Sequence, residues 1–179
     1  MNSKVKVLIT EEEVDAKIGR IARELSKEYA GKTVHMICVL KGGVFFMVEL
    51  AKRMSVDVTM DFMDVSSYGA GTESSGTVKV VKDLDEPIEG KDILIVEDIV
   101  DSGRTLKALT NLLGHRNPAS LKVVTLLDKP DRRVVDVEVA YSCFNIPDEF
   151  VVGYGLDYDQ KYRNLPYIGV LENNKEERS

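Results

Sequence analysis

Cysteine and histidine are scarce in this sequence, and a surplus of basic charge is missing altogether. The 179 residues include two cysteines, Cys38 and Cys143, both within apolar, strand-like runs. Two thiols make no disulfide framework, and nothing near them has zinc-ligand spacing. Reduced, buried thiols in a cytoplasmic protein are expected. The two histidines, His35 and His115, have no ligand-like company and read as structural. Thirty acidic residues against 24 basic ones give a formal net charge of −6. A nucleic-acid or anionic-membrane surface calls for the opposite sign, so neither partner is expected. No apolar run reaches the length of a membrane span, and the opening Met-Asn-Ser-Lys-Val-Lys leads into no signal-peptide core.

What is present alternates between strand and helix patterns along one expected domain of 1–179. Thr10-Glu11-Glu12-Glu13 fits a capping box, and Val14, Ile18, Ile21, Ala22 and Leu25 follow at helical spacing. This predicts a helix to about Tyr29, with Gly31 beyond its end. Val34–Leu40 and Ile93–Val96 are nearly continuous apolar runs, as expected of strands covered on both faces. Val56–Val65, Thr77–Lys82, Leu121–Leu127, Asp136–Phe144 and a short run from Phe150 complete the expected strands. Helices are predicted from Val44 to Lys52 and around Leu106, Leu109, Leu112 and Leu113. The pattern predicts an α/β fold, a mainly parallel sheet flanked by helices on both faces. Ligands of such sheets sit at the carboxyl ends of the strands. Attention falls on the loops after Leu40, Val96, Leu127 and Val152.

The run Ile93-Leu94-Ile95-Val96-Glu97-Asp98-Ile99-Val100-Asp101-Ser102-Gly103-Arg104-Thr105 has the densest chemistry. A buried strand delivers two adjacent carboxylates, and a small polar loop then opens a helix. Such a loop turns successive backbone N–H groups toward one point beside the helix dipole, which suits a phosphate. Glu97 and Asp98 offer hard oxygens for magnesium or ribose hydroxyls. Taken alone, the turn also fits an ordinary capped helix with acids favouring its dipole. Lys41-Gly42-Gly43 ends another strand and opens another helix, a second place where backbone can approach an anion closely. Lys129, in Asp128-Lys129-Pro130, stands where an ammonium can donate to a carbonyl oxygen on a base. Without further context a solvated lysine at a turn is the favoured reading of each.

The central run resembles the phosphoribosyl pyrophosphate (PRPP) signature of type I phosphoribosyltransferases: four apolar residues, two acids, then a loop ending Gly-x-Thr. It is not a Walker P-loop, whose full Gly-x-x-x-x-Gly-Lys-Ser/Thr pattern is absent from the chain. Leu40-Lys41-Gly42-Gly43, Lys129, Phe150-Val151-Val152-Gly153-Tyr154-Gly155-Leu156-Asp157 and Arg163 match the hypoxanthine-guanine branch, in family order. The resemblance implies the type I fold with a small hood over the active site. It implies transfer of phosphoribose from PRPP to hypoxanthine or guanine, giving IMP or GMP and pyrophosphate, with Mg2+ as cofactor. By the same resemblance, the loop from Asp101 through Ser102, Gly103 and Arg104 to Thr105 binds the 5′-phosphate, and Asp101 takes a proton from the purine. Lys41, Gly42 and Arg163 address pyrophosphate, and Glu97, Asp98 and Asp157 address magnesium. Lys129 reaches the exocyclic oxygen of the base, Phe150 stacks on it and Val151 meets its edge through backbone groups. A lid at about 66–76 brings Ser67 and Tyr68 to the pyrophosphate, and the polar tail at about 172–179 carries no motif. The family further implies a frequent cis peptide at Leu40-Lys41 and a homodimer or homotetramer. A related enzyme taking xanthine or a pyrimidine, and a PRPP-sensing regulator that binds nucleic acid, stay open. Lys129 and Phe150 speak against pyrimidines, and the acidic charge speaks against the regulator.

Overall fold

The computed structural model describes residues 5–67 and 78–172. Along them run β1 (Val5–Ile9), α1 (Glu11–Glu28), β2 (Thr33–Val39), α2 (Val44–Arg53), β3 (Asp57–Ser67) and β4 (Val78–Lys82). There follow β5 (Asp92–Val100), α3 (Arg104–Gly114), β6 (Ser120–Asp128), β7 (Tyr141–Asn145), β8 (Val151–Val152) and β9 (Ile168–Leu171). The expected lid and tail lie almost wholly outside the described residues, and Tyr68 lies outside them too. Ser67 is the last residue of β3, in register with Val78.

The main sheet has the order β4-β3-β2-β5-β6-β7. Every pairing from β3 to β7 is parallel, and β4 alone runs antiparallel, at the edge beside β3. The continuous apolar runs are explained by burial on both faces. Met36 and Cys38 of β2 and Leu94 and Val96 of β5 face one core with α1 and α2, whereas Ile37, Ile93 and Ile95 face a second core with α3. Period-two alternation thus feeds two apolar layers rather than one. Cys38 and Cys143 are free, buried thiols, as expected. None of the described helices is long and apolar enough to cross a membrane.

Two expectations change. The valine-rich stretch expected to be a strand from Asp136 becomes one only at Tyr141. Before that point Val137 and Val139 pack against the α3-side core, and the Val134 N–H donates to the Ser102 carbonyl. The segment braces a loop instead of pairing in the sheet. The strand begun at Phe150 does not join the main sheet. It is β8, in a separate antiparallel sheet of order β1-β9-β8 whose other two strands, short and interrupted by lysine or glycine, carry weak periodicity.

The α1 capping box is present in full: Thr10 Oγ1 accepts from the Glu13 N–H and Glu13 accepts from the Thr10 N–H. Thr10→Ala is expected to cost about 1 kcal/mol, lowering Tm by roughly 2–4 °C in a chain of this size. Turnover should be unchanged, because the cap touches none of the residues considered next. Thermal melts and a steady-state assay measure both.

Candidate active site

Strands β2 and β5 are neighbours in the sheet, paired in parallel up to Cys38 and Val96. The chain leaves β2 through α2 over one face and leaves β5 through α3 over the other. A crevice opens outside the carboxyl ends of strands where connections diverge in this way. Both glycine loops singled out from the sequence border it.

The helices that start there differ from α1. Helix α1 carries a side-chain cap and three acids in its first turn. Helices α2 and α3 begin at Gly43 and Gly103 with no side-chain cap and no acid in the first turn. The Val44 N–H that opens α2 reaches only the Lys41 carbonyl, at 3.3 Å, and neither helix dipole is offset by a first-turn carboxylate. Asp101 does not cap α3, which removes the plainest alternative reading of that residue. Gly103 holds φ +82°, and a Cβ there would press on Arg133 and Val137 at 2.9 Å. Ser102 Oγ accepts from the Arg104 N–H at 3.4 Å. A cavity of about 220 Å³ is lined by Glu97, Asp101, Ser102, Gly103 and Thr105, with Val39 and Val65 on its apolar side.

The two acids do not stand in a loop after Val96, as the sequence suggested, because β5 continues to Val100. They are strand residues on opposite faces. Glu97 is buried, and the Asp98 carboxylate accepts from the Ile99 N–H at 2.7 Å. Gly42 fits against it so closely that a Cβ would fall onto Asp98 Oδ2, while the Gly42 carbonyl lies against Gly155. The preceding Leu40-Lys41 peptide is cis. Burial, then the neighbouring Asp98, pushes the Glu97 carboxyl well above the ordinary carboxylate range. Burial also raises Asp98, against the pull of backbone N–H groups and the Arg163 guanidinium, with Asp157 adding to the rise.

Across the crevice, Arg163 pairs with Asp157 at 2.8 Å and donates to the Gly155 carbonyl at 2.7 Å. Gln160, which the sequence reading passed over, joins this group. Its Oε1 accepts from Arg163 at 3.2 Å and Lys41 at 3.5 Å, and its N–H donates to Asp157 at 2.8 Å. Phe150 is exposed and meets the Tyr158 ring edge-to-face at 5.7 Å, while Val151 is buried and paired with Val170. Lys129 is buried at the end of β6, its N–H bonded to the Val100 carbonyl at 2.9 Å. Asp148 and Arg132, also passed over, stand beside Lys129 and Asp101. No motif marked Gln160, Asp148 or Arg132; each is a polar residue within three positions of a motif residue, and that was the only signal. Among the described residues no three His, Cys, Asp or Glu side chains gather to hold a metal by themselves.

The raised carboxyls have a consequence for stability. Each keeps its proton to a higher pH in the fold than in the unfolded chain. The contribution is therefore fully present below the unfolded value and lost as pH rises through the folded value. The ligand-free protein should weaken from the ordinary carboxylate range upward. Glu97→Gln should raise the ligand-free Tm at pH 8, by about 2–4 °C per kcal/mol, and the gain should shrink toward pH 4. Melts across that range, in chelator, measure the difference.

The phosphoribosyl transferase domain family matches residues 9–159. A hypoxanthine-guanine phosphoribosyltransferase of Streptococcus thermophilus is 53% identical over 167 residues, covering 93% of each chain. A solved hypoxanthine phosphoribosyltransferase of Staphylococcus aureus superposes with TM-score 0.92 at 52% identity, over 96% of this chain and 93% of that one. A hypoxanthine-guanine phosphoribosyltransferase of Bacillus anthracis, solved with HEPES in its active site, gives 0.91 at 45% identity, over 94% and 100% of the two chains. The likeness covers nearly the whole chain. By its fold and its sequence, this chain belongs to the hypoxanthine-guanine phosphoribosyltransferases, the type I enzymes of purine salvage.

Proposed function

We propose that this crevice transfers the 5-phosphoribosyl group of PRPP to hypoxanthine or guanine. The observation that carries the reading is the pair of uncapped, acid-free helix starts at adjacent strand ends. A substrate with a phosphate at one end and a pyrophosphate at the other supplies an anion to each. The amides and hydroxyls of Ser102, Gly103, Arg104 and Thr105 receive the 5′-phosphate. Lys41, the Gly42 amide and Arg163 receive the pyrophosphate, with Ser67 and Tyr68 assigned to the same end.

In the reaction, the bond from the anomeric carbon to the pyrophosphate oxygen breaks, and its electron pair leaves with pyrophosphate. A bond forms from that carbon to an imidazole nitrogen of the purine, and the proton on the ring passes to Asp101. Lys41 and Arg163 stabilise the leaving charge as it develops. Phe150 offers a ring face to the base, the Val151 backbone meets its edge, and Lys129 donates to its carbonyl oxygen. Adenine places an amino donor at that position and leaves the ammonium unpaired.

The carboxylates fit a magnesium ion. Glu97 and Asp98 are both raised by burial and by nearby like charge, a penalty that a cation relieves. A set of one or two carboxylates suits a metal that keeps waters and takes its remaining ligands from phosphate oxygens. Glu97, Asp98 and Asp157 are its proposed holders. Bound there, magnesium supplies charge neutralisation for pyrophosphate and a template for the ribose hydroxyls. Likeness to the family also supports a homodimer or homotetramer acting in the cytoplasm.

Turnover of PRPP against a panel of hypoxanthine, guanine, xanthine, adenine and uracil, with and without magnesium, tests the reading. Product from hypoxanthine and guanine and none from adenine or uracil, abolished by chelation and restored by magnesium, is expected. Full activity in verified metal-free conditions, or preference for uracil, contradicts it. Asp101→Asn is expected to lower turnover roughly 100- to 10,000-fold with a near-native melt. Near-normal turnover at unchanged stability removes Asp101 from the mechanism.

A further inference from the structure

Parallel register brings three strand ends to one level. Val100 of β5 lies opposite Asp128 of β6, and Asp128 lies opposite Asn145 of β7. The residues just beyond them, Asp101, Lys129 and the turn at 146–149, consequently stand side by side. Backbone bonds fix this arrangement: the Lys129 N–H donates to the Val100 carbonyl and the Ile146 N–H to the Asp128 carbonyl, both at 2.9 Å. Four charges of alternating sign cross the three ends. Lys129 Nζ lies 3.6 Å from Asp148 Oδ1, Asp148 Oδ2 lies 3.4 Å from Arg132, and Arg132 Nε lies 3.1 Å from Asp101 Oδ1.

The geometry points to Asp148 as a positioning residue that holds the Lys129 ammonium for the carbonyl oxygen of the base, with Arg132 bracing Asp148 from the side of Asp101. This rests on the assignment of Lys129 to the base. Lys129 is 7% exposed, and Asp148 is the carboxylate partner of its ammonium. An ammonium withdrawn from water needs an opposite charge nearby. At 3.6 Å the carboxylate supplies that charge from beyond hydrogen-bond range, leaving the ammonium's three donors for other acceptors. Asp148 is mostly exposed and rests on a surface turn, so its side chain is not needed to fill the core. Arg132 limits its movement by a second contact on the other carboxylate oxygen. The pair that would read the base is thereby joined to the residue that would take its proton.

Calorimetric affinities for IMP, which carries the base, and for PRPP, which does not, separate this role from a structural one. Asp148→Asn is expected to weaken IMP binding about 5-fold, the scale of a half-exposed ion pair, and to leave PRPP affinity unchanged. Asp148→Glu restores the charge and should recover most of the loss. In a Lys129→Gln background, Asp148→Asn should have no further effect on IMP. Parental IMP affinity in Asp148→Asn, alongside a loss in Lys129→Gln, overturns the positioning role and leaves the Lys129 assignment standing. An equal Asp148→Asn effect in both backgrounds also overturns it. Parental IMP affinity in Lys129→Gln defeats the Lys129 assignment itself, and the role of Asp148 falls with it.

Discussion

The backbone of Gly42 lies against the Asp98 carboxylate with no space for a Cβ, and the rest of the site is arranged around that contact. It joins the loop after β2 to the strand that carries both buried acids. It also fixes how near the start of α2 comes to the start of α3. Any side chain at this position would push apart the two ends of the crevice, which is a steric constraint rather than a preference. On its far side the Gly42 carbonyl touches Gly155, so the Asp157–Arg163 segment is set by the same contact. Two loops and a strand from distant parts of the chain are thus located by one point of backbone packing.

Around that point the electrostatics are unbalanced in a consistent way. Two carboxyls are held in surroundings that disfavour their charge, and two helix starts lack the caps that α1 possesses. Both features favour an opposite charge, since acid-free helix starts attract anions and crowded carboxylates attract cations. The proposed substrate, with a phosphate at one end and a pyrophosphate at the other, would offset both together with a divalent cation. The fold holds its site in a state that the ligand completes.

Much of this was legible in the residues themselves. The capping box at Thr10, the two-faced apolar strands and the loops at 41–43 and 101–105 are local patterns, and local patterns survive in sequence. The extent of β5 was not legible, because Glu97 and Asp98 look like loop residues until burial by neighbouring strands makes them strand residues. The valines before Tyr141 alternate like a strand but are spent on packing against α3 and Gly103. The second sheet joins β1 to β9 across nearly the whole chain, a pairing that no window of sequence contains. Arg132, Asp148 and Gln160 escaped for the same reason, since each acquires its meaning from a partner on another loop.

The most direct test is a crystal structure with IMP, pyrophosphate and magnesium. The account predicts the 5′-phosphate on the backbone amides of residues 101–105 and the pyrophosphate at Lys41, Gly42 and Arg163. It places the purine carbonyl oxygen beside Lys129. A nucleotide phosphate bound away from the α3 start, or a pyrophosphate that leaves the Gly42 loop unengaged, would contradict it.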